Sequence, residues 1–405
     1  MNYFFSLLLT LTSTCTFAGG WVQKSDFGGT ARHRTTAVTI GNKVYFGLGH
    51  FNGAGPNVLF SDWWEYDPAT NAWTQKADYL GGPCYHATGF TINNMAYVGT
   101  GRIGVNSNIL VQDFFKYDVT INTWTQITSF PGSARRGAIS FVIDGLGYVG
   151  TGETPSSRTS SFYRFDPSNE TWIQVASLPG NSRTSSVGFS IGAYGYIGTG
   201  DASIGSINDF WQYDPTIDTW IQKPSIGAVG RLESTGFVLN GKGYILTGAD
   251  FSSGNNFKDM WEYDPINETW TELDEFDGTA RRYMSCVTLN GVAYCGLGTN
   301  GTNFKDFWLY DRTLDLLEEN AQDVNLTIFP NPVIDIAHFS LQLPEGISEN
   351  DFQAAVFSLS GQELARIQLT ETKSVDLSSL PSGNYICALF YKEHPLQTHS
   401  LILAK

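Results

Sequence analysis

The sequence predicts an all-β protein in two parts, and three observations carry that expectation. One peptide recurs along the first three quarters of the chain: DWWEYDPATNAW (62–73), DFFKYDVTINTW (113–124), SFYRFDPSNETW (161–172), DFWQYDPTIDTW (209–220) and DMWEYDPINETW (259–270). A sixth copy, DFWLYDRTLDLL (306–317), lacks its tryptophan. The composition suits short strands and tight turns, with 43 glycines, 14% aromatic residues and only 16% charged ones. From residue 326 onward the repeat is replaced by alternating apolar runs separated by Pro and Gly turns.

At the N-terminus, residues 1–18 read as a secretory signal. An apolar stretch from Tyr3 to Leu11 is followed by small residues and a cut site after Ala18. Cys15 raises the alternative of a lipoprotein, but Thr12 stands three residues before it, where a branched apolar residue is expected. The mature chain is therefore expected outside the inner membrane, with no later apolar run long enough to span a bilayer. A net charge of −15 excludes nucleic acid as an expected partner, since phosphate binding needs a basic footprint.

Residues 19–311 hold the repeat, and its spacing defines the unit. Arg32, Arg135, Arg183, Arg231 and Arg281 each lie thirteen residues before a tyrosine (Tyr45, Tyr148, Tyr196, Tyr244, Tyr294), and Cys84 takes the arginine place before Tyr97. Each YD aspartate precedes its tryptophan by six residues, and each tryptophan precedes the next arginine position by eleven. Only the Tyr-to-Asp interval varies, from 17 to 22 residues, within a period of 47 to 51. Fixed strands with one variable loop describe such a unit. Two-residue turns at Gly41-Asn42, Asn93-Asn94, Asp144-Gly145, Gly192-Ala193, Asn240-Gly241 and Asn290-Gly291 join the first two strands. An aromatic-rich third strand ends at Asp-Pro, and the fourth opens with tryptophan. Four short antiparallel strands repeated about every fifty residues make the blades of a propeller. Trp21 lies eleven residues before Arg32, so Trp21–Lys24 is a fourth strand with no blade before it and is expected to complete blade six.

This pattern resembles the kelch repeat, whose blades carry an early Arg, a Tyr before a glycine pair, an N-D-x-W-x-Y-D-P segment and a later Trp. Here the glycine pair reads GTG or GLG in most blades, as at Gly99–Gly101 and Gly296–Gly298. The resemblance implies a six-bladed kelch-type β-propeller. Some members of that family epimerise sialic acid or oxidise galactose, but the Tyr, His and crosslinked Cys of a galactose-oxidase copper site have no visible counterpart in this sequence.

Residues 312–325 read as a charged linker and 326–405 as a small C-terminal β-sandwich. LTIFPNPV (Pro330, Asn331, Pro332), the turn at Leu359, Ser360 and Gly361, the Leu380–Tyr385 segment LPSGNY and the ending at Leu401–Lys405 resemble the type A C-terminal sorting domain of the Bacteroidota type IX secretion system. That resemblance implies the type IX machinery as a partner of residues 326–405 and export to the outer surface or beyond. The alternative is an ordinary carbohydrate-binding or adhesive sandwich.

Chemistry is sparse in the sequence. The six histidines (33, 50, 86, 338, 394, 399) show no paired ligand spacing, and no nucleophile elbow or phosphate loop is present. No catalytic residue, metal or cofactor is assigned. Counting out from the Asn290-Gly291 turn places Cys286 opposite Cys295 in a non-hydrogen-bonded pair. They form either a cross-strand disulfide or two buried thiols. The arginines Arg32, Arg135, Arg183, Arg231 and Arg281 gather near one channel mouth and can bind an anion or serve as structural bridges. The bridging expectation pairs each Arg with the Asp of the next blade (32–113, 135–209, 183–259, 231–306, 281–62). Ligand recognition is placed on the variable loops, with His50, Arg102, Glu153, Asp201 and Asp250 as candidates. The leading functional expectation is a secreted or surface module binding a protein or glycan. The alternative is a sugar-acting enzyme, marked by a pre-formed central pocket that holds a shifted carboxylate.

Overall fold

The computed structural model describes residues 20–53, 56–105, 107, 109–227, 229–319, 323–344, 347–370, 373–392 and 394–405. The expected signal segment and Cys15 lie outside the described residues. Two compact units emerge, one spanning Trp21–Asp311 and the other containing Arg312–Lys405.

The first unit is six four-stranded antiparallel sheets, each strand hydrogen-bonded to its neighbour in chain order. Blade three is typical: Ile139–Ile143, Leu146–Gly150, Phe162–Asp166 and Thr171–Val175. Burial follows position in the blade. First strands alternate buried and half-buried residues, second strands are buried almost throughout, and fourth strands are largely exposed. This is the pattern of an innermost strand along a channel, a middle strand covered on both faces and an outer edge. The Asn290-Gly291 turn has φ of 50° and 77°, and Asp144-Gly145 has 49° and 75°, the left-handed pair that matches strand twist in two-residue hairpins.

Cores lie between blades. Phe90, Tyr97 and Phe114 of blade two pack on Val149 and Phe165 of blade three, with Tyr97 and Phe165 rings 5.2 Å apart. The inner strands approach so closely that a Cβ on Gly236 would stand 2.4 Å from Val187, so a glycine is needed there. Each repeat tryptophan is a staple to the preceding blade: the indole N–H of Trp124 donates to the Ala77 carbonyl (3.0 Å) and that of Trp220 to the Ala176 carbonyl (2.9 Å). The sixth tryptophan is Trp21. Trp21–Lys24 pairs antiparallel with Phe307–Tyr310, Trp21 opposite Tyr310, and closes the ring. Its indole packs 4.8 Å from Phe276, but its N–H has no hydrogen-bond partner among the described residues.

In blade six Cys286 and Cys295 are joined by a disulfide between directly opposed positions with Cα atoms 4.2 Å apart. Among the described residues Cys84 and Cys387 are free and buried.

The segment read as a linker begins instead with a helix, Arg312–Glu319. Leu314 and Leu317, three positions apart on one helical face, are both buried, a signal masked by the charged residues around them. Beyond it stand a three-stranded sheet (Asn325–Phe329, Ile336–Gln342, Ser374–Asp376) and a four-stranded sheet in the order Glu363–Gln368, Phe352–Phe357, Gly383–Tyr391, His394–Leu403. Asn331, between its two prolines, donates to the Ser400 carbonyl (2.9 Å) and accepts from Ile402 N–H (3.0 Å). Lys405 Nζ donates to the Leu380 carbonyl (2.6 Å), so the opening and closing residues of this unit are both held by named side chains.

Candidate active site at the channel mouth

The five repeat arginines are buried, with no side chain more than 3% exposed in the four ion pairs they form. Each directs Nη1 to a carbonyl sixteen residues on: Leu48, Thr151, Thr199, Thr247 or Leu297. Four then grip the aspartate that opens the third strand of their own blade. Arg183 reaches Asp209 at 2.6 and 2.7 Å, and Arg231, Arg281 and Arg32 reach Asp259, Asp306 and Asp62. The expected exchange between blades is therefore corrected. First-strand entry and third-strand entry lie at the same end of one sheet, a single strand apart, which a guanidinium spans without leaving its blade. The two gaps in the pattern also fall in separate blades. Arg135 meets the Ser161 hydroxyl at 3.1 Å, and burial lowers its pKa to about 10. Asp113, opposite Cys84, accepts from Ser129 at 3.3 Å and Gln126 at 3.4 Å.

Two residues beyond each arginine position stand Arg34, His86, Gly137, Ser185, Glu233 and Tyr283, all with left-handed φ between 54° and 61°. Their backbones form a girdle. The N–H of His86 donates to Arg34, Gly137 to His86, Ser185 to Gly137, Glu233 to Ser185 and Tyr283 to Glu233, at 2.8 to 3.2 Å. All six line a recess of about 160 Å³ at the channel mouth. The channel wall carries hydroxyl residues from every blade: Thr36, Thr88, Ser140 and Ser285 on inner strands, and Ser186 and Ser234 just before theirs, with Ser186, Ser234 and Ser285 also lining the recess. Five backbone hydrogen bonds running from Arg34 round to Tyr283 hold the side chains of that run on a rigid rim.

The rim concentrates charge. Arg34 Nη2 donates to the Tyr283 hydroxyl (2.6 Å), and its guanidinium lies 4.1 Å from that ring's centre. Arg282 Nε stands 3.2 Å from Glu233 Oε2 without the alignment of a hydrogen bond. Glu233 is 6% exposed. Burial raises its pKa to about 8, outweighing Arg34, Arg282 and Arg136, which pull it down. Burial likewise lowers His33 to about 3, His50 to about 4 and His86 well below the usual range, so all three imidazoles are neutral at pH 7. The mouth thus combines a carboxyl that stays protonated near neutrality, fixed guanidinium groups, a tyrosine hydroxyl and neutral imidazoles.

The five loop candidates stand at one level, yet none lines this recess. Four of them oppose the residue just after the arginine position: His50 pairs with His33, Arg102 with Tyr85, Glu153 with Arg136 and Asp201 with Thr184. His50 stacks 5.1 Å from Tyr85. Arg102 Nε donates to the Ser107 carbonyl at 3.2 Å. Glu153 Oε2 accepts two donors from Arg136 at 2.8 and 3.0 Å. Asp201 accepts from Arg158 of the preceding blade's loop at 2.6 Å. Asp250, held near pKa 2 chiefly by Ser252, caps its own loop and accepts from Ser206. These residues build the wall behind the rim. Glu233, Arg34, His86, Tyr283 and Arg282 were not singled out in the sequence. The available signal was a position running Arg, His, Gly, Ser, Glu, Tyr between conserved-spacing neighbours, inside the segment read as rigid scaffold.

Comparison with known proteins supplies the relationships. Residues 327–403 match the family described as "Secretion system C-terminal sorting domain". Over 119 residues the chain is 34% identical to N-acetylneuraminate epimerase 2 of Escherichia coli O6:H1 (strain CFT073), a match covering 28% of this chain and 30% of that protein. Over the same length it is 33% identical to the N-acetylneuraminate epimerases of Shigella flexneri serotype 5b and Escherichia coli K12, again 28% of this chain and 30% of each relative. The matched region thus spans under a third of those relatives. The solved structure of YjhT superposes with a TM-score of 0.60 at 18% identity, covering 79% of this chain and 99% of YjhT, which shows a shared fold. The sorting domain implies interaction with the type IX secretion machinery and delivery outside the cell or to its surface. The chain is a kelch-type propeller, distantly homologous to the N-acetylneuraminate epimerases, followed by a secretion-system C-terminal sorting domain.

Proposed function

We propose that the propeller is an epimerase of an acidic sugar, working at the channel mouth with Glu233 as the proton-transferring residue. The observation that carries this reading is a buried carboxyl with a pKa of about 8 on the rim of a pre-formed polar recess, beside Arg34 and Tyr283. The sequence match to N-acetylneuraminate epimerases supports a carboxylate-bearing sugar as the substrate class. This reading departs from the leading expectation of a binding module and takes up its alternative.

The stereocentre of a keto sugar that inverts most readily is its hemiketal carbon. The hemiketal hydroxyl gives up its proton, the ring C–O bond breaks as a ketone forms, and the ring oxygen takes a proton. Closure on the other face of the ketone reverses each transfer and gives the epimer. A protonated carboxyl can serve both sites at once, donating from one oxygen and accepting at the other, so protons balance without an external acid or base. Burial keeps Glu233 in that protonated form near neutral pH. Arg34 offers the sugar carboxylate a charge-assisted donor on the same rim. The hydrogen-bonded run of backbone from Arg34 to Tyr283 spares these groups reorganisation during turnover.

The test is the exchange rate between N-acetylneuraminate anomers, read by NMR on the purified protein. Glu233→Gln keeps the shape and is expected to slow exchange by about 10²–10⁴-fold while retaining saccharide binding. Wild-type protein that binds the sugar without accelerating exchange would instead be a binding module.

A further inference from the structure

A second recess of about 320 Å³ adjoins the first and shares Arg34 and Tyr283 with it. It lies between blades six and one, lined further by His33, Asn52, Asn57, Arg282 and Thr299. Its position is fixed from both sides: Asn303 of blade six donates to the Asn52 carbonyl at 2.6 Å, and His33 stacks on Tyr283 at 5.4 Å.

Its chemistry differs from that of the inner recess. Among the described residues its lining contains two arginines and no carboxylate, whereas the inner recess contains Glu233. His33 is 1% exposed and shares Nε2 with Asn52 Oδ1 at 2.7 Å. Burial keeps the ring neutral, so the proton sits on Nε2 and donates to the amide oxygen. Nδ1 is left as a buried acceptor with no partner among the described residues. A buried acceptor fixed in one tautomer, beside a guanidinium, suits a group with both an N–H or O–H donor and a negative charge. The outer recess, about 320 Å³, reaches the roughly 300–1,000 Å³ that houses a small ligand, and the inner one, about 160 Å³, does not, so a ligand seated at the inner recess has room to extend into the outer one past Arg34 and Tyr283.

We infer that the outer recess is a second saccharide subsite, taking an acidic sugar residue joined to the one in the inner recess, with its carboxylate toward Arg282 and a hydroxyl or N-acyl N–H donated to His33 Nδ1. The ligand is then an acidic disaccharide or longer chain whose free hemiketal end lies at Glu233. This rests on the assignment of the inner recess to an acidic sugar.

Titration calorimetry with N-acetylneuraminic acid and with its glycosidically linked dimer, at one ionic strength, tests it. The dimer is expected to bind wild-type protein at least about tenfold more tightly than the monomer, a difference of about 1.4 kcal/mol. Asn52 is exposed, so Asn52→Ala leaves the fold in place while releasing the His33 tautomer, and it is expected to cut that ratio to below about threefold. Equal affinities in wild type, or a ratio untouched by Asn52→Ala, overturns the subsite and leaves the inner site standing. Failure of both saccharides to bind at millimolar concentration overturns both assignments.

Discussion

Glu233 shows how position decides the behaviour of a side chain. Arg34, Arg136 and Arg282 would each favour a carboxylate, yet burial outweighs them and the group titrates at about 8, against 4.5 for an ordinary glutamate. The sign follows from that ordering. Between pH 4.5 and 8 the unfolded chain loses this proton and the folded chain keeps it, so this group favours the folded state at low pH and the contribution is lost as pH rises through about 8. Catalysis by the protonated carboxyl has the same sense: exchange is expected to be flat below neutrality and to fall above about pH 8, with kcat/KM against pH as the measurement. Arg183 belongs to the frame instead. Arg183→Ala leaves Asp209 with no guanidinium and only the Trp211 indole N–H, and is expected to cost about 3–5 kcal/mol, lowering Tm on the order of 10 °C in a thermal melt. The regular spacing made the arginines legible in sequence. Their partners were not, because equal spacing leaves Asp62 and Asp113 equally eligible for Arg32, and only the reach across one sheet decides between them. Glu233 was harder still: it sits one residue from Leu232 and two from Arg231, inside the stretch whose regularity marked it as scaffold.

Strands and hairpins were the most legible level, because their signals are local. Tight-turn dipeptides, aromatic alternation and Asp-Pro ends each specify backbone geometry within a few residues. The helix Arg312–Glu319 escaped notice because eight residues with two buried leucines give a short, weak periodicity. The variable loops were legible as variable, but their length says little about where side chains end up. Glu153 and Asp201 are spent on neighbouring arginines, while the channel rim comes from the constant segment between each fourth strand and the first strand that follows it. The strand Trp21–Lys24 carries a separate expectation. Trp21 is 4% exposed and packs on Phe276 and Tyr310, so Trp21→Ala is expected to cost about 3–5 kcal/mol, read from denaturant unfolding followed by circular dichroism. A loss of under about 1 kcal/mol would mean that the closing strand is held by its backbone bonds alone.

At the scale of the whole molecule, the chain divides into two compact units. Trp21–Asp311 has its own interblade cores, and removal of residues 312–405 is expected to leave a propeller that still melts cooperatively. The same truncation is expected to keep the protein from the cell exterior, measured by fractionation of cells expressing either form, because residues 327–403 are the sorting domain.

The pairing of Trp21–Lys24 with Phe307–Tyr310 has a consequence in time. The first strand of the propeller to leave the ribosome is the last to find its partner, since that partner lies at the far end of the repeat. Loop length adds little to the equilibrium cost, about 0.6 kcal/mol per doubling, but such remote pairing is slow to form. Until it forms, both the strand and its partner present unpaired edges, and blade six lacks its outer wall. Four residues therefore act as a latch for six blades. A fused tag or a chaperone that occupies them is expected to leave the Phe307–Tyr310 edge unpaired until they are released.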